Sequence, residues 1–295
     1  MEKLPWFDQQ LDGLVQRFTQ SSLHHGILLI GKKGVGKKQI LHNVAHLLLC
    51  ENNNACGQCQ ACRLFSAGNH PDFILPEYEN TIGVDLIRQC INQLSTKSHL
   101  GGPMLLVLQN IEAMTTASAN ALLKTLEEPT PNTFILMSTD STTLLLPTIL
   151  SRCEKHKVQL SDNSQSLDWL SSMGIDTGEE LNKLYWDRPM LLRDIANDEG
   201  LSESLQWLKD LHQIHSLRSM PGKLLEQHYF VLDWMNNALS EMSRTNISDM
   251  LQVRIHSTWQ EITQAEQQLS KQGINKSVIL EKLLHSWQQT LQTPI

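Results

Sequence analysis

The sequence predicts an α/β domain built on a mostly parallel, doubly wound sheet, then a small lid of three helices and an all-helical remainder. Three observations predict it. Between residues 27 and 158, short apolar runs alternate with amphipathic segments, the pattern of parallel strands covered by helices on both faces. A glycine-rich stretch, Gly31-Lys32-Lys33-Gly34-Val35-Gly36-Lys37-Lys38, joins the first apolar run to a helix-periodic one, the context of a phosphate-binding loop. From about Ser161 the strand signal disappears and helical periodicity continues to the end. The expected boundaries are 1–160, 161–203 and 204–295.

Strands are expected at 27–30, 73–75, 104–108 and 134–138, each short, apolar and bounded by Gly, Pro, Asn or Asp. Ile40, Leu41, Val44, Leu47 and Leu48 mark the helix opened by the loop, and Val84, Ile87, Ile91 and Leu94 mark another. Ala119, Leu122, Leu123 and Leu126 mark one that must stop at Pro129. Residues 142–150 read as helix-like. Residues 167–195 hold three short segments, interrupted at Gly174 and at Arg188-Pro189, which make the lid. Longer amphipathic helices follow residues 197–200, one carrying Leu205, Leu208, Leu211 and Ile214. The last carries Ile279, Leu280, Leu283, Leu284 and Trp287, with Asn275 placed to cap it.

Composition narrows the function classes. At 295 residues, 40% hydrophobic and 19% charged, the chain is ordinarily globular and long enough for two or three cores. Its longest apolar runs are too short to cross a bilayer, and residues 1–7 lack a signal-peptide core, so a cytoplasmic location is expected. A net charge of −7 excludes a uniformly basic surface and leaves nucleic-acid contact to a local patch. Six cysteines in such a chain point to metal ligation or structural thiols rather than disulfides.

A working phosphate loop ends in Ser or Thr, whose hydroxyl holds Mg²⁺; here that position is Lys38, an ammonium that cannot ligate a cation. Gly31, Gly34, Gly36 and Lys37 keep the cradle, so ATP or ADP binding is conceivable where hydrolysis is not. Hydrolysis also needs a carboxylate at a neighbouring strand end, and the 104–108 strand runs into Gln109-Asn110, with Glu112 beyond it. Cys50, Cys56, Cys59 and Cys62 form C-x₅-C-x₂-C-x₂-C, a four-thiolate set suited to tetrahedral, structural Zn²⁺. Cys90 and Cys153 are expected in the core. Ser151-Arg152-Cys153 follows the 142–150 segment; an arginine there is a solvated charge unless a neighbouring subunit takes it as a trans-acting arginine. His24, His25, His42 and His46 lack a carboxylate at ligand spacing and are read as surface or helix-face residues. Trp207, Trp234, Trp259 and Trp287 are read as core anchors.

The run Ala119-Asn120-Ala121-Leu122-Leu123-Lys124-Thr125-Leu126-Glu127-Glu128-Pro129, followed by Ile149-Leu150-Ser151-Arg152-Cys153, closely resembles the signature of bacterial clamp-loader subunits. These are AAA+ proteins of the replicative DNA polymerase III holoenzyme. His70-Pro71-Asp72, Gly83-Val84-Asp85, the cysteine module and Gly273-Ile274-Asn275 match as well. The resemblance implies an AAA+ domain and lid, with the C-terminal helices forming a circular collar. It implies an assembly with tau/gamma and delta subunits that uses ATP to place a sliding clamp on primer-template DNA. Among such subunits this one resembles a hydrolysis-deficient member. Lys38 and Gln109-Asn110 are changed, the lid's sensor arginine falls near Met190 with Arg188 displaced, and no tau-type extension follows the third domain. Arg152 would then reach into the ATP site of an adjacent tau/gamma subunit. The rival readings are an autonomous P-loop ATPase and a zinc-dependent DNA-binding protein.

Overall fold

Four apolar runs become parallel strands, three of them buried on both faces and the second a half-buried edge strand. They are β1 (Gly26–Ile30), β2 (Phe73–Ile74), β3 (Met104–Leu108) and β4 (Thr133–Thr139), and every residue of β3 is buried. The structure, a computed structural model, describes residues 2–79, 81–200, 203, 207, 224, 228–244, 248–269 and 274–291. A fifth strand, β5 (Glu154–Lys157), escapes the sequence reading because its residues are Glu, Lys, His and Lys. It is an edge strand alternating half-buried and exposed, held in place by backbone pairing to β1 rather than by apolar side chains. The sheet order is β2-β3-β4-β1-β5, all parallel.

Helix α1 (Asp8–Thr19) precedes the sheet and was also unanticipated. Helix α2 (Lys37–Leu49) follows β1, and α3 (Gln60–Ser66) carries the end of the cysteine module. Helices α4 (Val84–Leu94) and α5 (Thr116–Glu127) pack with β3 and β4 in one core that includes Ile87, Leu94, Leu122, Leu126, Ile135 and the buried thiols of Cys90 and Cys153. Leu122 is fully buried there, where truncation to Ala costs about 2–5 kcal/mol. The 142–150 segment divides into a 3₁₀ turn, Thr142–Leu144, and α6 (Pro147–Leu150), because proline is favoured at a helix start.

Asp72 ties the sheet to its loops. Its buried carboxylate accepts from Ser98 Oγ at 2.8 Å and from the backbone N–H groups of His99 and Leu100 at 2.7 and 3.0 Å. Burial opposes ionisation, but these donors outweigh it and hold the carboxyl below its usual value.

Further helices are α7 (Asn163–Ser172), α8 (Glu179–Tyr185) and α9 (Pro189–Asn197), then Tyr229–Ser243, Asp249–Leu269 and Lys276–Leu291. Backbone contacts define two units: Met1–Asp176 with Tyr185–Leu192, and Thr177–Leu184 with Arg193–Ile295. The division at 160 and 203 remains a proposal of the sequence. Leu205, Leu208, Leu211, Ile214 and Gly273 lie outside the described residues. Asn275 Oδ1 accepts from Ser277 N at 3.2 Å, capping the last helix. Trp234 and Trp287 are buried, their rings edge-on at 5.3 Å, whereas Trp207 and Trp259 are partly buried. Among the described residues no helix is long and apolar enough to cross a membrane.

Candidate functional site

The glycine-rich loop turns out of β1 and enters α2 through Gly34 (φ 87°) and Gly36 (φ 101°), left-handed positions that side chains disfavour. Lys37 is only 6% exposed. Its ammonium donates to Gly31 O at 2.6 Å, Lys32 O at 3.1 Å and Asp140 Oδ1 at 2.6 Å, which matches its three N–H donors with three acceptors. Asp140 is itself oriented by its backbone N–H, which donates to Glu112 Oε1 at 3.0 Å. The lysine that would meet a phosphate therefore meets the protein's own carboxylate.

The glycines are covered as well. A Cβ on Gly34 would lie 2.8 Å from Leu191 Cβ, and one on Gly36 would lie 3.2 Å from Leu4 Cδ1 and 3.4 Å from Met190 Cε. Met190 N donates to Gly34 O at 2.9 Å, Trp6 Nε1 donates to Val35 O at 2.9 Å, and Lys32 pairs with Asp187 at 2.5 Å. Lys38 is exposed and lines an apolar groove of about 320 Å³ with Phe73, Leu75 and Gln109. At the end of β3, Gln109 O accepts from the Tyr78 hydroxyl, while Asn110 is left-handed (φ 47°) and donates N–H to Ser138 Oγ at 3.2 Å. Lys38 and Gln109 thus share one groove, while Met190 packs on Gly36.

Cys50, Cys56, Cys59 and Cys62 converge, with all four Sγ atoms within 4.8 Å of one another. Positive φ at Asn53, Ala55 and Gly57 curls the chain between them. Cys50 and Cys56 lie 3.7 Å apart and Cys56 and Cys62 3.9 Å. A tetrahedron of thiolates at about 2.3 Å from zinc has edges of about 3.8 Å, so the set fits that ion. Backbone N–H groups of Cys56, Cys59 and Cys62 donate to the sulfurs of Cys50, Cys56 and Cys59. Burial opposes ionisation of Cys50, but hydrogen bonds from the Cys56, Asn54 and Asn52 backbone prevail and bring it to about 6, whereas burial pushes Cys62 up to about 12. The module is anchored by Phe65, whose ring stacks on His46 at 4.7 Å and meets Phe73 at 4.9 Å. His46 is consequently buried rather than at the surface, and burial lowers its pKa.

Arg152 sits in the turn between α6 and β5, with its side chain one-third exposed. Its Nη1 donates to Thr148 O at 3.0 Å and Ser151 Oγ at 3.2 Å, and its Nη2 pairs with Glu127 Oε1 at the end of α5. The neighbouring Cys153 is buried, which pushes its thiol up to about 11 and leaves it unreactive.

A family profile described as DNA polymerase III, delta subunit, matches residues 7–162. The DNA polymerase III subunit delta-prime of Haemophilus influenzae is 30% identical over 249 residues, spanning 80% of this chain and 76% of that one. The chain belongs to the DNA polymerase III delta-prime family. The delta-prime subunit of Pseudomonas aeruginosa is 31% identical over 302 residues, covering 89% of this chain and 91% of its own. The tau/gamma subunit of Haemophilus influenzae matches less broadly, at 30% identity over 52% of this chain and 23% of that one. A DNA polymerase III gamma-subunit-related protein of Thermotoga maritima covers 96% of this chain and all of its own, with a TM-score of 0.54 at 19% identity. The chain shares that protein's fold, a parallel-sheet α/β domain with a helical C-terminal part.

The sequence alone does not reveal Asp140, Asp187 and Glu127 as partners. Asp140 lies 103 residues from Lys37, and only its place just after a strand hinted at a role. Glu127 was visible as part of the signature but carried no chemistry until the turn at Arg152 was brought against it.

Proposed function

We propose that this chain is a hydrolysis-deficient clamp-loader subunit, a component of the DNA polymerase III holoenzyme. It assembles with tau/gamma and delta to load the sliding clamp on primed DNA, and it lends Arg152 to a neighbour's ATP. One observation carries the reading: Lys37 is buried and satisfied by Gly31 O, Lys32 O and Asp140. A phosphate could take that ammonium only by breaking an ion pair and two backbone contacts. Lys38 supplies no Mg²⁺-ligating hydroxyl, and Gln109 no carboxylate to polarise water. The loop is scaffold rather than a nucleotide site.

Zn²⁺ held by Cys50, Cys56, Cys59 and Cys62 would leave no open position for water, so its role is structural. Arg152 lies in the turn after α6 with its side chain one-third exposed, in contrast to Lys37 at 6%. Its planar guanidinium suits a transferring phosphoryl group, whose negative charge it would stabilise.

Three assays test this. The isolated chain should show no ATP turnover and no nucleotide binding with or without Mg²⁺; turnover abolished by Lys37→Ala would establish an autonomous ATPase instead. In a reconstituted complex, Arg152→Ala should leave assembly intact and slow ATP-driven clamp loading at least about tenfold, since an arginine finger is worth about 10³-fold or more at its own site. Unchanged loading would remove the trans role. Salt-dependent DNA binding by the isolated chain would favour a free-standing DNA-binding protein.

A further inference from the structure

Helix α5 ends in Glu127, followed by Glu128 and Pro129. Two acids at a helix C-terminus face the negative end of the backbone dipole, a placement that weakens the helix by itself. Such a local conflict marks a residue whose benefit lies outside its own helix. Here the benefit is visible, because Glu127 Oε1 meets Arg152 Nη2 across 25 residues of chain.

The two segments are clamped together below that pair. His25 Nε2 hydrogen-bonds to Leu126 O at 2.8 Å, fixing the last turn of α5 to the start of β1. Gly26 lies where a Cβ would come within 3.1 Å of Leu126 Cδ2 and 3.2 Å of Arg152 O, so a bare backbone lets the helix end and the arginine turn close on one strand. Thr148 O and Ser151 Oγ hold the other arm of the guanidinium. A long side chain with large rotamer freedom is thereby presented in one orientation before any neighbour arrives.

We propose that Glu127 is a positioning residue for Arg152. It pre-orders the guanidinium for an anionic group on an adjoining subunit and so lowers the entropy lost when the two meet. This rests on the reading that Arg152 acts in trans.

The test is a cycle of Glu127→Gln, Arg152→Ala and the double variant in the reconstituted complex, scored by clamp-loading rate at matched assembly. Glu127→Gln should slow loading about two- to fivefold, the scale of a partly exposed ion pair. The double variant should be no slower than Arg152→Ala alone, and Glu127→Asp should restore part of the rate. In the isolated chain, NMR of the Arg152 guanidinium should show faster side-chain motion in Glu127→Gln, with backbone amide signals unchanged. A defect in Arg152→Ala but none in Glu127→Gln, or a further loss in the double variant, would overturn the positioning role and leave the trans-arginine reading standing. No defect in Arg152→Ala would remove both.

Discussion

Replacing Lys37 by Met tests whether the loop is a nucleotide site or a structural tie. In a loop kept open for phosphate, the lysine is solvated in the empty protein and its loss leaves stability unchanged. Here the ammonium is 6% exposed and makes three charge-assisted hydrogen bonds, each worth about 1.5–3 kcal/mol when fully buried. The side chain of Asp140 is 37% exposed and rehydrates once its partner is gone, so the ion pair counts for about 1 kcal/mol at most. The Gly31 and Lys32 carbonyls add about 1–2 kcal/mol more, while Met keeps the apolar stem in place. The sum is about 1–3 kcal/mol, or roughly 2–12 °C in the midpoint of the unit carrying the loop. Urea unfolding followed by tryptophan fluorescence measures it, because the Trp6 indole donates to Val35 O on the loop and stands edge-on to Trp169 at 5.4 Å. A Trp6→Phe chain identifies that part of the signal. Unfolding of Lys37→Met within about 0.5 kcal/mol of the parent would refute the argument. So would a parent midpoint that climbs with millimolar ATP, since a ligand at about 100 times its Kd adds about 2.7 kcal/mol.

Other outcomes follow from the same geometry. Protein purified without chelators should contain one zinc per chain by elemental analysis, and Cys62→Ser should lose it and lower the thermal midpoint; zinc-free parent protein would dismiss the site. Asp72→Asn should cost about 2–3 kcal/mol, because an amide N–H then faces one of the donors at Ser98, His99 or Leu100. Faster hydrogen exchange at the His99 and Leu100 amides would accompany it, and unchanged exchange would contradict it. Burial lowers the pKa of His46, His70 and His156 below 6.5. The unfolded chain therefore takes up these protons first, so their contribution is complete above about pH 6.5 and is lost as pH falls through the folded values. Denaturant midpoints should decline below pH 6.5, and a flat profile down to pH 5 would show that these rings are not buried neutral.

Legibility followed the reach of each interaction. The strands at 27–30 and 104–108 could be read because burial on both faces demands continuous apolar runs. Strand β5 could not, since an edge strand needs only backbone partners and Ile27 to Ile30 supply them. The cysteine module was readable because its ligands lie within 13 residues, while its anchoring through Phe65 onto His46 depended on how α3 folds back on α2. His46 was read as a helix-face residue because its helical position was visible but its stacking partner was not.

By itself, the sequence determined the α/β class, the missing hydroxyl at Lys38, the missing carboxylate at Gln109 and the four-thiol cluster. Those are statements about residue types at short spacing, where local chemistry suffices. Tertiary structure alone decided that Lys37 is paired with Asp140, that Met190 and Leu4 cover Gly36, and that Glu127 holds Arg152. Each of these joins groups that chain spacing leaves apart, and only the closing of the parallel sheet and its helices brings their charges and surfaces within contact.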